Sequence, residues 1–347
     1  MKNRTIETGV LLFAFVCLGL ITTGGNAQTV DTTKAEQFYR GKTITWVVSA
    51  EPGGSTDVMT RILVPHFARE TGVRLVVKNM TGGSMEGDNW VYREAKRDGL
   101  TMLTEGTMPM LLNDLLKSPG VQYETDKFIF LAGVDDELSV FAISPKTPHR
   151  TLDALRKAKG LKVGASSARG YIAMSGVVAV ELLGLDAKVV TGYGGMKSVL
   201  LAVAQGEMDI VCSSEPDISR SQKDGSVMTL FVMGDERSPL FPGIPTIREL
   251  GIPIPKEMID PYKTIGSNSR SIVFPPGVPE DRVVYLRKVF KKLNEMQEVQ
   301  RDISRWVGIW RPFIPGEKMQ ENMNRLMGNQ SLAGQMMGLL KKHAATK

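Results

Sequence analysis

The residues best suited to chemistry lie in a short loop near the start of the chain. An apolar run of β-forming residues, 43–50, is followed closely by two glycines and two hydroxyl residues. A strand that passes through glycines into a helix leaves backbone N–H groups without acceptors, and these groups can hold an anion without lysine or arginine. The sequence therefore predicts an anion-binding loop. Its predicted ligand-binding residues are Gly53, Gly54, Ser55 and Thr56.

Three further loops rich in glycine or hydroxyl residues follow predicted strands, at 81–84, 166–170 and 191–195. A single loop of this kind is most often an ordinary tight turn. Four of them in equivalent places favour a binding cleft, because ligands in α/β sheets bind beyond the carboxyl ends of the strands. The additional predicted ligand contacts are Ser166, Ser167, Arg169 and Thr191.

Three charged residues near these loops have alternative interpretations. Arg169 has the geometry to pair bidentately with a carboxylate, or it is a solvated loop arginine. Glu51 is unfavourable beside an anion, so it either points away or selects a ligand that also carries a positive group. Asp57 falls in the first helical turn, where a carboxylate caps the helix and complements its dipole.

The sequence contains no pattern for catalysis or for metal binding. Its three histidines, His66, His149 and His343, are far apart and lack cysteine or carboxylate partners at ligand spacing. Phosphate-binding P-loops, nucleophile elbows and dinucleotide fingerprints are absent from the sequence. We therefore expect a protein that is not an enzyme, with no cofactor and no metal. Cys212 lies in an apolar run and is expected to be an inert core thiol.

Composition and charge restrict the class of protein further. The formal net charge of the 347 residues is +6, with acidic and basic residues mixed along the chain, so we expect no nucleic-acid partner. Residues 1–27 have the layout of a cleaved signal peptide, with basic residues, an apolar run and small residues at the cleavage site. The expected location is the periplasm, and the expected state is a monomer.

Strand-like and helix-like segments alternate along the chain, which is typical of an α/β fold with mixed, largely parallel sheets. Two crossings between lobes are predicted, near Leu138 and near Ser271. They divide the chain into a discontinuous domain 1 of residues 28–140 and 267–347, and a domain 2 of residues 141–266. A helix is predicted from Ser55 to Glu70, disturbed by Pro65. Further predicted elements are a strand at 101–104, a strand that starts at Ser271, and helices at about 171–183 and about 297–307. The last predicted helix runs from Glu317 to Lys342.

Several segments, in order, resemble the periplasmic solute-binding proteins of tripartite tricarboxylate transporters, the Bug family. They are residues 44–48 with 53–57 and 61, then 76–79 with 82–83, 98–103, 162–167, 206–209 and 245–251. The resemblance implies a two-lobed, type II periplasmic-binding fold of the Venus-flytrap kind. This chain departs from the usual family pattern at Ala50-Glu51-Pro52, at Ser167-Ala168-Arg169-Gly170 and at Val190-Thr191-Gly192-Tyr193.

The resemblance also implies a function. A small organic carboxylate would be captured in the cleft between the lobes and delivered to the membrane permease subunits of the transporter. Two alternatives remain open at this point. The closed, ligand-bound form could instead dock on a receptor kinase, or the chain could be a secreted hydrolase, for which no nucleophile and base are found in the sequence.

Overall fold

The computed structural model describes residues 30–81, 85–168, 170–259, 261–262 and 268–343. The signal-peptide prediction for residues 1–27 therefore lies outside the described residues. From Thr32 onwards the chain forms one compact unit. The strands in chain order are β1 (Thr43–Val48), β2 (Arg74–Asn79), β3 (Thr101–Gly106), β4 (Ile129–Glu137), β5 (Ser139–Ile143), β6 (Leu161–Gly164), β7 (Ala187–Val190), β8 (Ile210–Ser214), β9 (Met228–Met233), β10 (Asn268–Phe274) and β11 (Ile314–Pro315).

Helices occupy most of the remaining chain and cover both sheets. In chain order they are α1 (Thr33–Tyr39), α2 (Ser55–Thr71), α3 (Glu86–Arg93), α4 (Thr107–Leu115), α5 (Leu152–Lys157), α6 (Tyr171–Leu183), α7 (Met196–Gln205), α8 (Glu215–Lys223), α9 (Glu280–Glu295), α10 (Gln297–Val307), α11 (Gly316–Gly328) and α12 (Gln330–His343). Within the ranges that the structure describes, none of them is long and apolar enough to cross a membrane.

The described strands form two mixed sheets, as the sequence predicts. The first has the order β11-β4-β10-β3-β1-β2, and the second has the order β7-β6-β8-β5-β9. In the first sheet β1 is parallel to both of its neighbours, β2 and β3, whereas β10 is antiparallel to β3 and β4. In the second sheet β6 is parallel to β7 and β8, and β5 is antiparallel to β8 and β9. Parallel strands direct their carboxyl ends, and the loops that follow, to one edge.

Aromatic side chains fill the cores on the two sheets. Trp46 of β1 packs edge-on against Phe67 of α2, with ring centroids 5.4 Å apart, and its indole N–H donates to the hydroxyl of Thr104 at 2.7 Å. On the second sheet Phe141 of β5 stacks on Phe231 of β9 at 4.6 Å. All four aromatic rings are fully buried. The first core fixes β1 against α2, and the loop between them is thereby held in place.

Two helices differ from their predicted course. Helix α2 runs through Pro65 without ending and closes one residue later than predicted, at Thr71, where Gly72 adopts a left-handed φ of 70°. The predicted helix 317–342 is divided into α11 and α12 by Asn329, whose side-chain oxygen accepts the backbone N–H groups of Ser331 and Leu332. An asparagine that captures amide groups in this way starts a new helix.

The chain passes from the first sheet to the second between β4 and β5, and it returns before β10. The last helix does not follow this division, because α12 packs against α6 and β7 of the second sheet. Lys342 and His343 of α12 both contact the carboxylate of Glu181 on α6. The domain boundaries 28–140 with 267–347, and 141–266, stay a prediction.

Candidate functional site

A cleft of about 920 Å³ is lined by loops from both sheets. Some of its residues follow β1, β2, β6 and β7, where the sequence predicts the binding loops, and others lie at the carboxyl ends of β3 and β8. A volume of this size accommodates a small organic molecule. On the side of the first sheet the lining includes Ser49, Ala50, Glu51, Ser55, Thr56, Glu105, Glu137 and Arg270, and on the side of the second sheet it includes Ser166, Ser167, Tyr171, Gly194, Ser213 and Asp217.

Among the described residues, six helices begin at this cleft: α2, α3, α4, α6, α7 and α8. The first turn of a helix carries backbone N–H groups without intrahelical acceptors and the positive end of the helix dipole. Several such ends converging on one cleft make it attractive to an anion. Cleft-lining residues in these caps and first turns are Ser55 and Thr56 of α2, Met85 of α3, Gly106 and Pro109 of α4, Gly170, Tyr171 and Ile172 of α6, Met196 of α7, and Ser214 and Asp217 of α8.

The backbone N–H groups of the glycine pair are used within the first loop. The N–H of Gly53 donates to Oδ2 of Asp57 at 2.8 Å, and the N–H of Gly54 donates to the carbonyl of Glu51 at 3.0 Å. Neither glycine belongs to the cleft lining. The φ of Gly53 is +77°, a left-handed value that suits glycine, so this residue shapes the loop. Direct ligand contacts from Gly53 and Gly54 stay a prediction.

The next two residues of the loop face the cleft. Helix α2 starts at Ser55, and its first intrahelical bond runs from the N–H of Val58 to the carbonyl of Gly54 at 2.9 Å. The N–H groups of residues 55–57 precede that bond and have no intrahelical acceptor. Since Ser55 and Thr56 line the cleft, their N–H groups and hydroxyls are the strongest anion donors of this loop.

Asp57, in the first turn of α2, holds the first loop in shape. It is buried, and its carboxylate accepts hydrogen bonds from the N–H of Gly53, from Arg61 and from the amide nitrogen of Asn79. Burial alone would raise the pKa of Asp57, but the bonds from Arg61, Gly53 and Asn79 outweigh it and hold the pKa below its usual value. Asn79 also donates to the carbonyl of Ala50 at 3.0 Å, which ties the loop to β2.

The loops of the second sheet contribute some of the predicted residues. Ser166 and Ser167 follow β6 and line the cleft. Arg169 lies outside the described residues, as do residues 82–84 of the second predicted loop. Thr191 is half-buried at the end of β7 and is not part of the lining, whereas Gly194 of the same loop is. The cleft thus brings together Ser55, Thr56, Ser166 and Ser167 from the predicted set.

Sequence reasoning missed three charged residues of the cleft: Glu105, Glu137 and Arg270. All three are at most 6 % exposed, and Nη1 of Arg270 lies 3.4 Å from Oε1 of Glu137. Glu105 directly follows the predicted strand 101–104, so extending that strand would have placed it at the cleft. The other two lie on strands that were missed or predicted too short, since β4 was not predicted and β10 was expected to start at Ser271.

Glu105 lies close to a second buried acid, Asp88 of α3. The hydroxyl of Ser49 donates to Oδ1 of Asp88 at 2.7 Å. Burial raises the pKa of Asp88, and the hydroxyls of Ser49 and Tyr123 only partly oppose this. Burial also raises the pKa of Glu105, and the neighbouring charge of Asp88 raises it further. This part of the cleft wall therefore favours protonated carboxyl groups.

The thiol of Cys212 on β8 is fully buried, and burial raises its pKa. A thiol without access to solvent and without a stabilised thiolate reacts slowly. We expect the native protein to show no labelling by 5,5′-dithiobis(2-nitrobenzoic acid), and the denatured protein to show one thiol per mature chain. Rapid labelling of the native protein would contradict the interpretation of Cys212 as an inert core thiol.

Within the described ranges, no three or more histidine, cysteine, aspartate or glutamate side chains are grouped so as to hold a metal ion. Two of the three histidines instead contact carboxylates of neighbouring helices. His66 of α2 lies 2.9 Å from Asp302 of α10, and His343 of α12 lies 2.7 Å from Glu181. His66 and His343 are not among the residues of the cleft.

Similar sequences were found among known proteins, although no family model matches the chain. BugT from Bordetella pertussis is 27 % identical over 239 residues, which cover 67 % of this chain and 72 % of BugT. A UPF0065 protein from the tcbD-tcbE intergenic region of a Pseudomonas strain is 28 % identical over 249 residues, covering 70 % of this chain and 71 % of that protein.

Solved structures share the fold. The periplasmic binding protein BugD has a TM-score of 0.67 at 22 % identity, over 88 % of this chain and 98 % of BugD. MatC from Rhodopseudomonas palustris with bound malate has a TM-score of 0.68 at 19 % identity, over 84 % of this chain and 99 % of MatC. Another R. palustris protein, with adipate, has a TM-score of 0.71 at 18 % identity, over 86 % of this chain and 97 % of that one. These likenesses confirm the predicted two-lobed periplasmic-binding fold.

Proposed function

We propose that this chain, which is a solute-binding protein of the Bug type and not an enzyme, captures a small organic carboxylate in the cleft between its two sheets. The observation that carries the proposal is the convergence of six helix N-termini on that cleft. Their unbonded N–H groups and dipoles stabilise a carboxylate without a dedicated lysine. MatC and the adipate-bound protein, which share the fold, hold carboxylates in their structures.

The donors for the ligand come from both sides of the cleft. Ser55 and Thr56 supply N–H and hydroxyl donors from the first sheet, and Ser166 and Ser167 supply hydroxyls from the second. A ligand that is bonded from both sides favours the closed form of a two-lobed protein, because closure removes the ligand from water and strengthens each charge-assisted bond. Binding is thus coupled to closure, which is the change that a partner can recognise.

The partner that we propose is a membrane permease of the tripartite tricarboxylate type, and the proposed location is the periplasm. Support comes from the segments that resemble this class of transporter protein and from the signal-peptide layout of residues 1–27. The ligand-bound, closed form would dock on the permease and release the carboxylate to it.

The experiment is a thermal-shift screen of the mature chain with mono-, di- and tricarboxylates that includes malate and adipate. A ligand present at about 100 times its dissociation constant adds about 2.7 kcal/mol to the free energy of unfolding. We expect at least one carboxylate to raise the melting temperature, whereas its neutral amide analogue does not. The proposed function is wrong if the whole panel leaves the melting temperature unchanged.

A further inference from the structure

Two carboxyl groups that the proposed binding mode does not use lie in the wall of the cleft and directly behind it. Asp88 is fully buried, and Glu105, which lines the cleft, is 3 % exposed. Among the described residues, Oδ2 of Asp88 and Oε2 of Glu105 have no hydrogen-bond partner. A buried carboxylate oxygen without a donor costs free energy, and a proton on that oxygen removes the cost.

The groups around this pair do not neutralise two negative charges. Ser49 on β1 and Tyr123 before β4 offer hydroxyls, and the hydroxyl of Tyr123 also donates to the carbonyl of Met110 at 3.1 Å. The cation that acts on Glu105 is Arg270 of β10, and its guanidinium also pairs with Glu137 of β4. Asp114 of α4 is a further acid near Tyr123, and its carboxylate pairs with Nζ of Lys117 at 2.7 Å. Arg270 therefore acts on two buried acids, Glu105 and Glu137, and Glu51 on the rim adds a further acid to the cleft lining.

We infer that Asp88 and Glu105 share a proton taken from solvent, and that the protein binds its carboxylate ligand with this pair protonated, so that ligand capture is linked to proton uptake. The inference rests on the proposed function, since it concerns the same cleft. Two interacting acids release their protons in separate steps that belong to the pair. While the proton is held, the pair carries one negative charge and repels the ligand less than two charges would.

The coupling between ligand binding and proton uptake follows from the position of Glu105 at the cleft. When the pair loses its proton, a further negative charge appears on the wall that faces the ligand, and a carboxylate in the cleft is repelled across a poorly solvated space. The burial of both groups shifts their pKa values upwards, which places the loss of the proton above the usual range of carboxylic acids. Carboxylate affinity should therefore fall as the pH rises through the titration of the pair.

The experiment is isothermal titration calorimetry of the mature wild-type chain, with the tightest binder among malate, adipate, succinate and citrate as the probe. Titrations from about pH 6 to about pH 9 should show the dissociation constant rising by up to about tenfold per pH unit over the titration range. Titrations in phosphate and in Tris, whose ionisation enthalpies differ, should show uptake of up to one proton per ligand. Neither measurement depends on a mutant.

Two neutral replacements then identify the groups. Glu105→Gln and Asp88→Asn each imitate a protonated acid, so each should keep binding and reduce both the pH dependence and the proton uptake. Glu51→Gln is the matched control, because Glu51 is an exposed acid on the rim of the same cleft. It should keep the pH dependence even if the affinity itself changes.

The outcomes separate this inference from the proposed function. A carboxylate that binds with the same affinity at every pH and without proton uptake overturns the inference and leaves the function in place. Tighter binding of an amino-bearing analogue, such as aspartate compared with succinate, with proton release, also overturns it, because Glu105 would then act as an anion. If no carboxylate binds at any pH, the proposed function itself fails.

Discussion

Replacing Arg311 with methionine is expected to lower the free energy of unfolding by about 3 to 5 kcal/mol, the usual cost of leaving a buried charge without its partner. The Arg311 guanidinium lies 2.8 Å from both carboxylate oxygens of Glu215, which is 1 % exposed. Oε2 of Glu215 also accepts the N–H of Leu138, at 2.8 Å. Glu215 is the first residue of α8 and directly follows β8 of the second sheet, whereas Arg311 precedes β11 of the first sheet. This ion pair therefore joins the two sheets.

Urea unfolding, followed by circular dichroism, measures the effect. The matched control is Arg40→Met, which removes an exposed pair with Glu36 and should cost no more than about 1 kcal/mol. Adding Glu215→Gln to Arg311→Met should recover part of the loss, because it removes the unbalanced charge. Equal free energies of unfolding for the Arg311→Met variant and the wild type would show that the Arg311 guanidinium does not stabilise the buried Glu215.

Replacing Ser55 with proline is expected to weaken carboxylate binding by roughly 10- to 150-fold, the equivalent of one charge-assisted hydrogen bond of about 1.5 to 3 kcal/mol. Ser55 is the first residue of α2, where proline is well tolerated, and Gly54 before it has φ −69° and ψ 164°, a conformation that suits the residue before proline. The substitution therefore removes the N–H and the hydroxyl at the cleft while the helix stays intact.

The matched control is Ser55→Ala, which removes the hydroxyl and keeps the N–H. Calorimetry with the carboxylate found in the thermal screen should show a smaller loss for alanine than for proline. The melting temperatures of the unliganded variants should stay close to that of the wild type. If the proline variant binds as tightly as the wild type, the N–H of Ser55 is not a donor to the ligand.

Much of the fold follows from local features of the sequence. The strand 43–48 and the helix that follows it are encoded by an apolar run, a glycine turn and the terminal Gly72. Helices α6 and α10 have their predicted bounds, Tyr171–Leu183 and Gln297–Val307, because glycine or polar residues mark both of their ends. Backbone preferences of this kind act over a few residues, so the sequence near each boundary is enough to predict it.

The contacts between charged groups that are remote in sequence could not be predicted in this way. Arg270 and Glu137 are separated by 133 residues in sequence, and antiparallel pairing of β10 with β4 brings them together. Arg311 and Glu215 are separated by 96 residues and come from different sheets. The hydrogen bond from the N–H of Gly53 to the carboxylate of Asp57 likewise depends on the conformation of the loop. Each contact depends on strand order or loop geometry, which local propensity does not specify.

The sequence by itself determined that this protein is an α/β chain with hydroxyl and glycine loops at strand ends, because these features depend on side-chain periodicity and on the backbone freedom of glycine. Only the tertiary structure decided which groups meet in the cleft. In it, Ser55 and Thr56 of the first loop line the cleft, the N–H groups of Gly53 and Gly54 are bonded within the loop, and Glu105 is buried beside Asp88. The physical reason is that hydrogen-bond pairing and desolvation depend on distances between segments remote in sequence, and folding alone sets those distances.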